Sequence, residues 1–284
     1  MKAYELTSWL EKKYPSDAAE DWDNVGLLAG DDTNEISHVF LALDLTIEDG
    51  ADMIITHHPM IFSGIKKINN HSFTGRKILT LIQKGIVYYA MHTNYDVLGM
   101  ADLSADYTKM HDTTVLSITE EREGEVQGFG RVGKLPREMT LREYAQLVKE
   151  SLKLNDVKVY GNLDSMVKCA AVCTGSGKSM IKDVIKAGAD VYVTGDIDHH
   201  TGIDTVAQGL ALIDAGHYGT EYVFIPYLFT ISKKHLSTFL LGYTIIGTIL
   251  LSISPCTNFK QEIVAPPIIV LCKINNNFIT TILT

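Results

Sequence analysis

Gly50-Ala51-Asp52-Met53-Ile54-Ile55-Thr56 has an echo later in the chain, Gly188-Ala189-Asp190-Val191-Tyr192-Val193-Thr194. Each stretch reads as a helix-ending glycine that leads into a short apolar strand closing on threonine, with polar residues after it. Strands also read at His38–Leu45, Ile86–Ala90 and Val167–Cys173. Helices read at residues 1–14 (Leu6, Trp9, Leu10 and Lys13 at helical spacing, stopped by Pro15), Lys77–Gln83, Lys178–Ala187 and Ile203–Ile213. Gly124–Leu135 reads as extended. Thr140-Leu141-Arg142-Glu143 is a capping box opening a helix with Leu141, Tyr144, Val148 and Leu152 on one face. Strands alternating with helices predict an α/β protein made of two similar α/β domains, with mixed or mostly parallel sheets flanked by helices.

The echo also exposes an irregularity. Thr174 to Gly188 leaves room for a crossover helix, whereas Asp44 to Gly50 does not. A crossover between parallel strands ordinarily needs about ten to twelve residues. Either the first pair of strands are not parallel neighbours, or a helix is missing there.

Composition narrows the function classes. The chain has 284 residues, 46% hydrophobic and 21% charged, which is globular and long enough for about two domains. A net charge of −9 argues against a dedicated nucleic-acid surface. The four cysteines form no disulfide framework, and Cys169 and Cys173 lack zinc-knuckle spacing. The N-terminus has no apolar signal segment, so a cytoplasmic protein is expected. The average hides a break: residues 223–284 carry four Lys and one Glu, a net of +3, leaving −12 on residues 1–222.

Several side chains sit where α/β folds place chemistry, just past strand ends or at helix starts. His57-His58 comes after the strand ending at Thr56. On an extended chain two adjacent histidines point opposite ways, which suits two ions rather than one. Taken alone, an ordinary structural role is the plainer alternative for the pair. Asp96 comes after the strand ending at Ala90, where a loop aspartate capping a turn is the plainer alternative. His217 and Glu221 are four apart, so a helix would put them on one face. The plainer alternative for Glu221 is a carboxylate near a helix start. Three histidines and two carboxylates suit Zn, Mn, Fe or similar ions, and five donors suit two ions sharing a bridging carboxylate. Such a pair activates water near neutral pH and clamps an oxyanion. Asp196, with Asp198, His199 and His200, comes after the second echo strand, as a solvated loop or as support behind the ligands. Gly175-Ser176-Gly177-Lys178-Ser179 fails the phosphate-loop pattern because Val172 stands where its first glycine belongs. It reads as a strand-to-helix turn whose amides could meet an anion.

These segments together resemble the dinuclear metal-centre proteins, the Nif-three-like family often called GTP cyclohydrolase 1 type 2 homologues. The matching stretches are Asp23-Asn-Val-Gly-Leu27, Ala42-Leu-Asp44, Gly50 to Pro59, His92-Thr-Asn-Tyr-Asp96, Gly128-Phe-Gly-Arg-Val-Gly133, Thr194-Gly-Asp196 and Asp214 to Glu221, in family order over residues 1–228. The resemblance implies a metal site between two α/β domains, two divalent ions per chain and a ring-shaped homohexamer. By motif, His57 and His58 each bind one ion, Asp96 joins His58, His217 joins His57, and Glu221 bridges. Asp196 and His200 are the candidates for a surrounding shell. The implied function is a metal-dependent hydrolase of a nucleotide-like or phosphorylated small molecule. The alternative is a non-catalytic metal-binding scaffold, metallochaperone or regulatory protein.

The expected division is a first half at 1–122, a second at 123–228 and a divergent apolar tail at 229–284. The family's charged helix and final strand find no counterpart in that tail. Ser237–Ser254 is uncharged, so an unrelated segment, a membrane anchor and a soluble core element are all readings of it. Membrane contact is expected through the tail alone, if at all.

Overall fold

The computed structural model describes residues 1–45 and 50–237, together with the backbone of two short strands at 244–248 and 269–271. The chain forms two compact units. One contains Met1–Ser16, Asp21–His92 and the described residues from Phe224 onward. The other contains Asp17–Glu20 and Thr93–Val223.

The first unit opens with helix Ala3–Lys13, which buries Ala3, Leu6, Thr7 and Leu10. Trp9 lies half-buried against the ring of His235. Then come strands β1 (Gly26–Ala29), β2 (His38–Ala42), β3 (Met53–Thr56) and β4 (Val87–Ala90), with helix Phe73–Lys84 between the last two. Strands β2, β3 and β4 run parallel, and β1 lies antiparallel on β4. All of β3 and β4 is buried, as expected of parallel strands covered on both faces. Phe40, Ile54 and Tyr88 share a core with Leu81 of the helix.

The second unit contributes β5 (His111–Arg122), β6 (Glu125–Thr140), β7 (Lys158–Tyr160), β8 (Met166–Val172), β9 (Val191–Thr194) and β10 (Ala211–Asp214). Their order is β5-β6-β8-β9-β10-β7. Strands β8, β9 and β10 are parallel, and β7 lies antiparallel on β10. This repeats the order and sense of β2, β3, β4 and β1, so the sequence echo is a structural duplication. In both halves the aspartate of Gly-Ala-Asp does the same work. Asp52 accepts from the backbone N–H groups of Ser37 and His38, both at 2.8 Å, and Asp190 from those of Lys168 and Cys169, both at 2.9 Å.

The irregular connection resolves in one direction. β2 and β3 are parallel neighbours, with Val39 opposite Met53 and Ala42 opposite Thr56. Residues 46–49 lie outside the described residues, and no helix occurs among the described residues of this connection. In the second half, helix Ile181–Ala187 fills the corresponding position.

Other expectations change. Ile203–Ile213 is not one helix: the helix is His199–Ala207, and Ala211–Asp214 is strand β10. Gly209 stops the helix at φ +91°, and the apolar residues beyond it pair with β9. The units part at His92–Thr93 rather than at residue 122, because the β5–β6 hairpin pairs through β6 with β8. Strand β5 and the helical run from Thr93 to Tyr107 carry no clear periodic signal and emerge only in the fold.

The chain returns to the first unit through helix Phe224–Ser237. Strand β11 (Thr244–Thr248) then pairs parallel with β2, and β12 (Ile269–Leu271) lies antiparallel on β11. The backbone of these segments therefore extends the first sheet rather than standing apart as a tail. Most of the Ser237–Ser254 span candidate lies outside the described residues. Among the described residues no helix is long and apolar enough to cross a membrane.

The capping box forms as predicted. Thr140 Oγ1 accepts from Glu143 N, and Thr140 N donates to the Glu143 carboxylate at 2.8 Å. That backbone hydrogen bond, with Arg137 beside it, holds the Glu143 carboxyl down at about 2. A depressed carboxylate stabilises the fold at neutral pH, and the contribution is lost as pH falls from the ordinary glutamate range of about 4.3 towards 2. Thr140→Ala should cost about 1 kcal/mol in urea unfolding at pH 7. Glu143→Gln should flatten the loss of stability between pH 5 and 2.

Candidate metal centre

In the first unit, β3 ends at Thr56 and the next residues turn. Thr56 Oγ1 donates to the His58 carbonyl at 2.8 Å and lies 2.8 Å from the Tyr88 hydroxyl, which accepts from Met60 N. This turn cancels the alternation of an extended chain. The His57 and His58 rings lie 5.0 Å apart, tilted by 45°, rather than pointing opposite ways. His92, two residues past β4, joins them, and one ligand atom from each of the three lies within 4.8 Å of the others.

The second nitrogen of each ring is held by an oxygen. His57 Nδ1 donates to the Met91 carbonyl at 2.8 Å, and His57 is fully buried. His58 Nδ1 donates to Asp44 at 3.2 Å, and His92 Nδ1 to both Asp23 oxygens at 3.0 Å. Carbonyl and carboxylate oxygens only accept, so the proton belongs on Nδ1 and the lone pair on Nε2. This is how proteins orient histidines that bind metal. His92 and Asp23 stand within the family-like stretches, but residue type and spacing alone do not mark them as site residues. The signal available was their shared position beside strand ends.

In the second unit, helix His217–Glu221 puts its two end residues on one face, as their spacing predicted. His217 Nε2 lies 3.2 Å from Glu221 Oε2, and His217 Nδ1 lies 2.7 Å from Asp196 Oδ2. Glu221 is buried. Asp96 opens a π-helical turn, Asp96–Met100, a deformation frequent at functional sites. Burial pushes the Cys173 thiol up to about 12, and the charges of Asp96 and Glu221 add to that rise. Asp196 stands at φ +59°, turned towards His217. His200 is exposed beside the ring of His199.

Two amides of the Gly-rich turn are used within the protein. Gly175 N donates to Thr220 Oγ1 and Gly177 N to Thr194 Oγ1. Its contribution is space. A Cβ at Gly175, where φ is +63°, would run into Glu221 Oε1 and lie 3.4 Å from His217 Nε2.

The donor set fits divalent cations of the Zn, Mn or Fe kind: imidazole Nε2 atoms with lone pairs, and buried carboxylate. His217 has a carboxylate against each nitrogen. Such an arrangement calls either for a doubly protonated ring or for a cation at Nε2.

The model of the Duf34/NIF3 (NGG1p interacting factor 3) family matches residues 1–248. A GTP cyclohydrolase 1 type 2 homolog from Clostridium acetobutylicum is 35% identical over 243 residues, spanning 82% of this chain and 89% of that relative. A Bacillus cereus protein related to NIF3 has a solved structure that matches with TM-score 0.81 and 25% identity, over 91% of this chain and 99% of that one. Reduced HcgD from Methanocaldococcus jannaschii matches with TM-score 0.70 and 30% identity, over 87% and 97%.

Gly175→Ala tests the packing of this site. The left-handed backbone and the collision with the carboxylate should together cost about 2 kcal/mol, seen as a lower denaturation midpoint. Gly188→Ala, at φ +75° with open space around its Cβ, isolates the backbone share and should cost less.

Proposed function

Because the chain belongs to the Duf34/NIF3 family, whose model spans residues 1–248, we propose that it is a dinuclear divalent-metal protein acting as a hydrolase of a nucleotide-like or phosphorylated small molecule. His57, His58, Asp96, His217 and Glu221 are the proposed ligands, with Glu221 bridging. Asp196 orients His217, and Asp23 orients His92 beside the ligands. The observation that carries the reading is the pairing of His217 Nε2 with the buried Glu221 carboxylate, while Asp196 occupies Nδ1. Two ions would supply Lewis acidity and an activated water. The chain's own contribution is to fix ring tautomers through Met91, Asp44, Asp23 and Asp196 and to keep space open at Gly175. A homohexameric ring belongs to the same proposal.

A second reading, a non-catalytic metal scaffold or metallochaperone, is favoured by one observation. A nucleophilic side chain that feels both carboxylates, Cys173, has its thiol pushed up to about 12 and held protonated. The hydrolase reading rests instead on the name carried by relatives such as the Clostridium acetobutylicum protein.

Elemental analysis of the purified chain should find two divalent ions per chain. Glu221→Ala should lose one or both, and unchanged content would remove Glu221 from the site. Asp196→Asn should weaken metal affinity about 10- to 100-fold while leaving the ligands in place. Turnover in a screen of nucleotides and phosphoesters by the metal-loaded protein separates hydrolase from scaffold. Two bound ions with no turnover would favour the scaffold. Light scattering reads the hexamer.

A further inference from the structure

Arg131, on β6 of the second unit, carries a guanidinium that the fold has taken out of water. Its side chain is 5% exposed, whereas that of its carboxylate partner, Asp102, is 68% exposed. Arg131 Nε donates to Asp102 Oδ1 at 2.6 Å. Arg131 Nη1 donates to the carbonyls of Gly128 at 3.1 Å and Gly130 at 2.9 Å. Burying a guanidinium is costly unless its N–H groups are matched, and its planar fork fixes partners in direction as well as distance. This buried fork ties helix Ala101–Tyr107, which carries Asp102, to β6.

That helix follows directly on the π turn Asp96–Met100, and Thr93–Tyr95 ahead of the turn is helical too. Residues 93–107 are therefore one helical run with a single change of hydrogen-bond register. The Ala101 N–H closes the turn on the Asp96 carbonyl. A π turn carries one residue more than the α turn it replaces. Relaxing it to α-helix would rotate Asp96 by about 100° relative to helix Ala101–Tyr107, because each residue advances an α-helix by that angle. The direction of Asp96 is thus set by a register, and a register persists only where its surroundings hold it. Within the turn, Val97 and Met100 are buried. Just beyond it, Asp102 is held by Arg131. Arg131 is fixed in turn by the sheet, opposite Val115 on β5 and Val172 on β8. Its neighbour Gly130, at φ +64°, lies so close to β8 that a Cβ there would stand 2.6 Å from the Val172 carbonyl oxygen.

We propose that Arg131 and Asp102 are positioning residues for Asp96: their ion pair holds the π turn in register and so directs the Asp96 carboxylate to its ion. The inference rests on the reading of Asp96 as a ligand for its consequence, and on the ion pair and the π turn for the device itself. Both residues act through the turn.

The exposed partner permits a mild test. Asp102→Asn keeps the shape and removes the charge, and Asp102→Glu keeps the charge. In the full chain treated with EDTA, hydrogen exchange at the Ala101 amide, read by NMR, should be about tenfold or more faster in Asp102→Asn than in the wild type. Asp102→Glu should return it to near the wild-type rate. When the full chain is titrated with Mn²⁺, Asp102→Asn should weaken one ion about 10- to 100-fold, and Asp102→Glu should restore it. Asp96→Asn should weaken the same ion. The double variant Asp96→Asn/Asp102→Asn should bind no more weakly than Asp96→Asn alone, because two residues that act through one contact are not additive. Thr108→Val removes a buried hydroxyl that bonds the Ser104 carbonyl at the end of the same helix. It controls for lost stability, since its denaturation midpoint should fall while its Mn²⁺ affinity stays at the wild-type value. Unchanged exchange at Ala101 in Asp102→Asn would overturn the proposal. So would wild-type Mn²⁺ affinity in Asp102→Asn where Asp96→Asn loses an ion, or an equal loss of affinity in Thr108→Val. If Asp96→Asn binds Mn²⁺ as the wild type does, or the wild type binds none, the ligand reading of Asp96 fails instead. Exchange at Ala101 in the EDTA-treated chain then decides separately whether the pair holds the turn.

Discussion

The register of the parallel strands rests on one carboxylate in each half. Asp52 grips the first backbone N–H groups of β2, and Asp190 grips those of β8, while the same two residues use their own backbone to bond both neighbouring strands. A strand's side-chain alternation has a period of two, so slipping by one residue would exchange its faces. With the register held at the strand starts, the strand ends are determined too. Thr56 opposite Ala90 puts His57, His58 and His92 at one edge, and Thr194 opposite Asp214 puts Asp196 beside His217. The sites are the far ends of strands whose near ends are clamped.

The duplication explains how one architecture yields two different sets of side chains at its strand ends. Thr56 and Thr194 are equivalent: Thr56 Oγ1 bonds the Tyr88 hydroxyl, whereas Thr194 Oγ1 accepts from Gly177 N, whose carbonyl accepts from the Tyr192 hydroxyl. The residues after the threonine differ. The first half continues with two histidines. The second continues with Gly195 and Asp196, and its histidine comes from the next strand end, at His217. The common feature is the treatment of the imidazoles. His57, His58, His92 and His217 all direct Nδ1 at an oxygen, which commits Nε2 to the site. A cation-binding surface needs that commitment, because a ring free to exchange tautomers presents a donor as readily as an acceptor.

Much of this was legible because it is local. The Thr140–Glu143 capping box, the 217/221 pairing and the apolar strands at 53–56 and 191–194 depend on neighbours a few residues away, and each formed as its spacing predicted. The long helix expected at 203–213 failed because Leu210 to Ile213 reads equally as helix face or strand, and pairing with β9 decided it. Strand β5 has a mixed polar pattern without strand periodicity and becomes a strand through its hairpin partner β6. His92 and Asp23 are 69 residues apart, and nothing at either position announces the other.

The amino-acid sequence by itself determined that the chain is a duplicated α/β protein, and it marked His57, His58, Asp96, His217 and Glu221 through residue type and place beside strand ends. The tertiary structure alone decided that β2 and β3 are parallel neighbours despite their short connection, that the first unit is completed by chain returning at Phe224, and that His57 and His58 turn into one cluster with His92. The division has a physical cause. Periodicity and capping are written in nearest-neighbour chemistry, whereas the direction of an imidazole and the partner of a strand are set by hydrogen bonds to residues that only folding brings within reach.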